Sequence, residues 1–250
     1  MNSHNSSNSK NSTNSKMHGI LIVNKPQRMT SHDVVDFIRR RFHIKKVGHA
    51  GTLDPLATGV LVLLIGRATK LSGKLMGQDK EYGVVMTLGK RTDTGDADGK
   101  VISESNEFRT IDTQQIKSVL AQFTGKISQI PPMTSAIKHK GKKLYELARK
   151  GIQIERSPRE VTIHDLVLEE YNPPDISLRV TCSKGTYVRV LCDDIGLALG
   201  CGGFVSKIER LKSGRFHIKE AITIDELRDL TRQDLSTLLK NENYYRFSTV

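Results

Sequence analysis

Tryptophan is missing from this chain, and aromatic residues make up only 5% of its 250 positions. A sugar-gripping or membrane-belt surface built on indole rings is therefore excluded. Long hydrophobic runs are absent too: the longest purely apolar one is Val60–Ile65, strand-sized and far short of a membrane span. No apolar h-region follows the first residues, so no signal peptide is expected. Cysteine is scarce and odd in number (Cys182, Cys192, Cys201), without a C-x-x-C pair. That argues against a disulfide framework and a zinc ribbon, and suits a reducing cytosol. The eight histidines never approach a spacing such as H-x-x-x-H. These absences bound the chain as a cytoplasmic, metal-free globular protein without a membrane segment.

Positive charge, by contrast, is in excess. The formal net charge is +12, and a polyanionic partner, most often nucleic acid, is the usual counterpart of such a balance. Composition alone favours this only slightly over a generically basic enzyme. Residues 1–16 hold five Asn and six Ser and can bury no apolar surface, which predicts a disordered tail. Discounting the tail's two lysines still leaves +10 on the remaining 234 residues.

The pattern further along mixes strands and helices. Gly19–Val23 reads as a buried strand, and Thr30 or Ser31 can cap a helix carrying Val34, Val35, Ile38 and Phe42 at helical spacing. Arg39, Arg40 and Arg41 near its end suit the helix dipole, and a solvated face and an RNA contact are equally good readings of them. A Gly-punctuated loop over 47–59 feeds the strand Val60–Ile65, which looks buried on both faces. Tyr82 to Leu88 reads as a strand, Ile116, Val119, Leu120 and Phe123 as a helix ended by Gly125, and Ile176, Leu178, Val180 and Cys182 as a strand. Val188, Leu191, Ile195 and Leu199 follow helical spacing, and residues 225–239 read as one or two short helices. There is no regular βαβ rhythm and no visible repeat, so the expected class is α+β.

Three segments could carry chemistry. The acidic loop Arg91–Gly99 (RTDTGDADG) resembles a calcium loop, but an EF-hand alignment puts Thr94 and Ser105 where acids are required. Calcium is rejected, and a turn built on Asx-type hydrogen bonds that could also orient basic residues is the better reading. Asp54, between flanking glycines and before Pro55, could be a nucleophile or base held on a bent loop, although an Asp-Pro pair by itself reads first as a turn. Ser183–Arg189 (SKGTYVR) is a strand-to-helix turn able to receive phosphate oxygens, or an ordinary connection.

Together with GILIVNKPQRMTSHDVV (19–35), VGHAGTLDPLATGVLVL (47–63), KEY (80–82), IPPMTSAIKHKGKKLYELARKG (130–151) and CSKGTYVRVLCDDIGLALGCGG (182–203), these segments make residues 18–214 resemble the bacterial tRNA pseudouridine synthases of the TruB type. That family isomerises uridine 55 in the T loop. The resemblance implies a pseudouridine synthase fold, with a central mixed, largely antiparallel sheet flanked by helices and a catalytic cleft. It implies Asp54 as the catalytic aspartate, Tyr82 as the tyrosine that packs on the target base, and Arg189 as the arginine paired with the aspartate. Tyr187 would line the uridine pocket, His49 would help hold the reorganised T loop, and Lys25 and Ile208 would be pocket or RNA contacts.

Residues 129–151 then read as a basic clamp, with Lys138, Lys140 and Lys142 on the RNA backbone. The expected layout is a tail at 1–16, a catalytic domain at 17–218 and a short helical extension at 219–250. After Ile218 too few residues remain for an independent domain, so the family's usual C-terminal RNA-binding module is expected to be lacking. No cofactor is implied, since substrate and product contain the same atoms. The implied partner is the tRNA T-arm, and a monomer with no obligatory protein partner is expected. Two other functions fit the same residues: a pseudouridine synthase acting on another RNA, and a non-catalytic RNA-folding chaperone using the same cleft.

Overall fold

The computed structural model describes residues 17–135, 137–139 and 141–243, with Lys138 and Lys143 by their backbone alone. In chain order, β1 (Gly19–Lys25), α1 (Ser31–Arg41), β2 (Val47–His49), β3 (Thr58–Ile65), α2 (Ser72–Met76) and β4 (Lys80–Leu88) come first. A hairpin of β5 (Lys90–Thr92) and β6 (Val101–Glu104) follows, then α3 (Thr113–Gln122) and β7 (Gly125–Gln129). A second small hairpin, β8 (Lys138–His139) with β9 (Lys142–Lys143), leads into α4 (Leu144–Ala148). Next are β10 (Arg159–Asn172), β11 (Asp175–Cys182) and α5 (Val188–Ala198). The chain closes with β12 (Gly203–Ser213), β13 (Phe216–His217), β14 (Ile222–Thr223), α6 (Ile224–Asp229) and α7 (Arg232–Leu238).

Ten of these strands form one sheet with the path β14-β1-β3-β12-β4-β11-β10-β7, β13 pairing with β12 and β2 with β3. Only β1–β14 and β3–β12 are parallel pairs. The mixed, largely antiparallel sheet of an α+β fold is what the structure shows. The Gly-punctuated stretch begins otherwise than expected: Val47–His49 is strand rather than loop, held in register against Leu63–Ile65.

The period-two alternation of β1 and β3 sends neighbouring residues into separate cores. Leu21, Val23, Leu61, Leu63 and Ile65 pack under α1 with Val34, Val35 and Ile38, while Ile20, Ile22, Val60, Val62 and Leu64 pack on the opposite face with Phe216. A third core lies under α3 and α5, around Met86, Leu178, Leu191 and Ile195. Tyr82 and Ile208 touch both this core and the one under α1. The seam between the two cores is where the site lies.

Thr30 is the N-cap of α1, with a reciprocal capping box to Asp33. At the end of α1, Arg41 donates to the carbonyls of Arg228 and Leu230, and Arg39 to that of Val47. Those guanidiniums bind backbone of this chain. The segment after 218 is built into the same sheet: β14 runs parallel to β1, and Ile20 and Lys240 exchange both backbone hydrogen bonds at 2.9 Å. The tail at 1–16 lies outside the described residues. No described helix is long and apolar enough to cross a membrane.

Candidate active site

Between β2 and β3 the chain is fastened at every carbonyl from Gly51 to Pro55. Arg210 on β12 donates Nη2 to Gly51 O (3.2 Å) and Nη1 to Thr52 O (3.3 Å). Ser31, in the first turn of α1, donates its hydroxyl to Leu53 O (3.1 Å) and accepts from Leu53 N (2.8 Å). The Asp54 carbonyl accepts from Ala57 N, and that of Pro55 from Arg28 N and from Lys25 Nζ. Five consecutive bonded carbonyls hold this stretch in one shape, as the precise placing of a side chain on it requires.

That side chain is Asp54, 43% exposed, whose Oδ2 lies 2.9 Å from Nε of Arg189. Arg189 is buried in the first turn of α5. Its Nη1 donates to Thr94 O (2.9 Å) and Thr134 Oγ1 (3.0 Å), and lies 3.2 Å from Oδ2 of Asp96. Asp96 is fixed in turn by the Thr94 hydroxyl (2.6 Å) and the Asp98 amide (3.2 Å) on its Oδ1. The acidic loop is thus a turn with an Asx-type hydrogen bond, and it holds the arginine that faces Asp54. One guanidinium sits between two carboxylates, one buried and one open to the cavity.

The cavity has a volume of about 360 Å³ and is lined by Asp54, Tyr82, Tyr187, Arg189, Ile208 and Arg210, among others. Size and lining suit a small planar ligand. Burial pushes the Tyr82 phenol above its usual range, with Arg210 opposing the shift, and burial likewise raises the Tyr187 phenol. Gln129 clasps the backbone of Tyr187 from both sides, accepting from its N–H (3.0 Å) and donating to its carbonyl (3.2 Å). Lys80 also lines the cavity. Burial lowers its pKa to about 8, and its ammonium donates to Met76 O (2.7 Å) and Gln78 O.

The structure therefore brings Asp54, Tyr82, Tyr187, Arg189 and Ile208 together. Lys25, expected as a pocket or RNA contact, is fully buried and not among the cavity-lining residues; it donates to Pro26 O (2.8 Å), Met29 O (2.7 Å) and Pro55 O (3.4 Å) and braces the Asp54 loop from beneath. Burial, partly offset by Asp54, lowers its pKa to about 8. His49 ends β2 and is not among the cavity-lining residues. Lys142 is exposed on β9. Lys140 and the side chain of Lys138 lie outside the described residues. Sequence reasoning missed Gln129, Thr134, Lys80 and Arg210. Among the described residues no group of three or more His, Cys, Asp or Glu could hold a metal ion.

Solved structures share this architecture. A Cbf5–Nop10–Gar1 complex contains a chain 32% identical over 84% of this one, with a TM-score of 0.67. An H/ACA RNP bound to a substrate RNA containing 2′-deoxyuridine gives 26% identity over 90% and a TM-score of 0.65. This chain spans 54% and 56% of those two chains. The fold and the site define a pseudouridine synthase.

Family models sharpen the assignment. Residues 39–188 match the TruB family pseudouridylate synthase N-terminal domain, and residues 189–241 match the tRNA pseudouridylate synthase B C-terminal domain. The chain belongs to the TruB family of pseudouridylate synthases. The second match begins at Arg189 inside α5, so both matched segments contribute strands to one sheet. Similar proteins include the tRNA pseudouridine synthase B of Syntrophotalea carbinolica, 49% identical over 89% of this chain and 72% of that protein. That of Protochlamydia amoebophila is 46% identical over 91% and 86%.

Proposed function

We propose that this chain converts uridine 55 in the T loop of tRNA to pseudouridine, with Asp54 as the group that acts on the ribose. The observation that carries this reading is the Asp54 carboxylate, held 2.9 Å from Arg189 in a cavity lined by Tyr82, Tyr187 and Ile208. The relatives' shared name, tRNA pseudouridine synthase B, supports the substrate class.

In the reaction the N1–C1′ bond breaks, its electrons leave with the uracil, the ring turns, and C5 bonds to C1′. N1 gains a proton and C5 loses one, so atoms balance without a co-reactant. One carboxylate suffices, as nucleophile at the ribose or as base on it, where glycoside hydrolysis uses two and a water. The second acid here, Asp96, is buried behind Arg189 and serves the arginine. Tyr82, its phenol raised by burial, stays protonated at neutral pH and offers a ring face and a donor. The target base must leave the T loop to reach Asp54, at a cost of about a few kcal/mol that stacking on an aromatic face can offset. The net charge of +12 and the exposed Lys142 support contact with the RNA backbone.

A transcript carrying 5-tritiated uridine tests this, because forming the C5–C1′ bond releases the C5 hydrogen. Wild-type protein should release tritium. Asp54→Asn should release none, and neither should wild type acting on a transcript with cytidine at position 55. Release from the cytidine transcript would move the target elsewhere, and release by the variant would remove Asp54 from the chemistry.

A further inference from the structure

We infer that Arg210 is a positioning residue that locks the Asp54 loop and Tyr82 into one constellation. The inference rests on the reading of Asp54 given above. Arg210 lies in mid-strand on β12 and is 1% exposed, the largest fully buried side chain described. Its Nε donates to Val60 O at 2.7 Å on β3, while its two terminal nitrogens hold Gly51 O and Thr52 O at the start of the Asp54 loop. Tyr82 on β4 is the register partner of Arg210, and the guanidinium opposes the upward shift that burial imposes on its phenol. One planar fork therefore ties the strand before the cavity to the loop that carries the acid, beside the tyrosine of the wall.

A core residue chosen for packing would not be charged. The Arg210 cation is solvated by the carbonyl dipoles of Val60, Thr52 and Gly51, an arrangement that needs several donors at fixed angles. Lysine has one nitrogen and cannot reach Val60, Thr52 and Gly51 together. The β3–β12 contact has been narrowed to admit this geometry: Gly59, at φ +97°, stands where a Cβ would come within 2.3 Å of the Arg210 carbonyl. Backbone and side chain of Arg210 thus set both ends of the Gly51–Gly59 segment.

Arg210→Lys keeps a cation and most of the volume, and tests the fork alone. On a T-arm transcript its single-turnover rate should fall on the order of 100-fold, the effect of a displacement of about 1 Å at the reacting group. RNA affinity should stay near wild type, and hydrogen exchange should quicken at Leu53 and Ala57 but not in β1. Phe216→Leu, a core substitution away from the cavity, serves as a stability-matched control and should keep its rate. Wild-type turnover in Arg210→Lys, or an equal rate loss in Phe216→Leu at the same Tm, would overturn the inference. An Arg210→Lys protein that fails to fold would also overturn it, by making the role general stability. Asp54→Asn run alongside separates the two readings: if it is active, the functional proposal falls. If it is dead while Arg210→Lys is normal, only the role of Arg210 falls.

Discussion

Replacing Asp96 by alanine tests how the site holds its arginine. The change removes an ion pair at 3.2 Å to Arg189 and the acceptor for the Thr94 hydroxyl and the Asp98 amide. Both side chains of the pair are 7% exposed. Breaking a buried pair costs about 3–5 kcal/mol. Asp54 still faces Arg189, which places this case near the low end, about 3 kcal/mol. In a chain of this size that lowers Tm by about 6–12 °C. Asp96→Asn keeps an oxygen for the Thr94 hydroxyl and the Asp98 amide but turns an amide N–H donor toward Arg189, so it should cost about as much as the alanine.

Activity follows geometry. Without Asp96, the arginine is retained by Thr94 O and Thr134 Oγ1 and drawn toward Asp54, shifting the acid it should fix. Single-turnover conversion by Asp96→Ala should fall about 100-fold, with RNA binding kept because Asp96 is buried. Thermal melts and rapid-quench conversion read both quantities. An Asp96→Ala protein with wild-type Tm and wild-type rate would show that Arg189 needs no second acid.

Other expectations follow from single contacts. Lys25 and Lys80 have folded-state pKa values lowered by burial to about 8 against an ordinary 10.5. Between those values the unfolded chain holds more protons, so their contribution to stability rises as pH increases from about 8 to 10.5; denaturation across that window should show a rise that Lys25→Met flattens. Gly59→Ala should cost about 3 kcal/mol or more, since the left-handed φ and the Arg210 backbone both oppose a side chain. Gly125→Ala, at nearly the same φ but with nothing within 4 Å, should cost only about 1–2 kcal/mol, and chemical denaturation of the pair separates strain from crowding. Lys142→Glu should weaken T-arm binding and reduce the slope of log K against log salt by about 1 or more; an unchanged slope removes this lysine from the RNA interface.

Asp54, Tyr82 and Arg189 were legible because short, ordered motifs carry them: Asp54 between glycines, Tyr82 in KEY, Arg189 after SKGTYV. Arg210, Thr134 and Gln129 were not. Arg210 reaches Gly51 across 159 positions, Thr134 meets Arg189 across 55 and Gln129 meets Tyr187 across 58, and no local pattern encodes such pairings. Lys25 ends a strand before a proline, a place that reads as surface, and only the packing of the Asp54 loop over it makes it a buried brace. β12 escaped a period-two reading because bulges at Val205/Lys207 and Arg210/Lys212 shift its alternation. β10 carries two such shifts of its own. The Arg91–Gly99 sequence spells a turn, which it forms, but its buried Asp96 takes its role from an arginine 93 positions away in the chain.

The most direct test of the central claim is pseudouridine mapping across a whole unmodified tRNA transcript, with wild-type protein and Asp54→Asn side by side. Pseudouridine at the T-loop uridine alone, absent with the variant, is the predicted result. A T loop left unmodified by a folded wild-type protein that still binds the T-arm would contradict it.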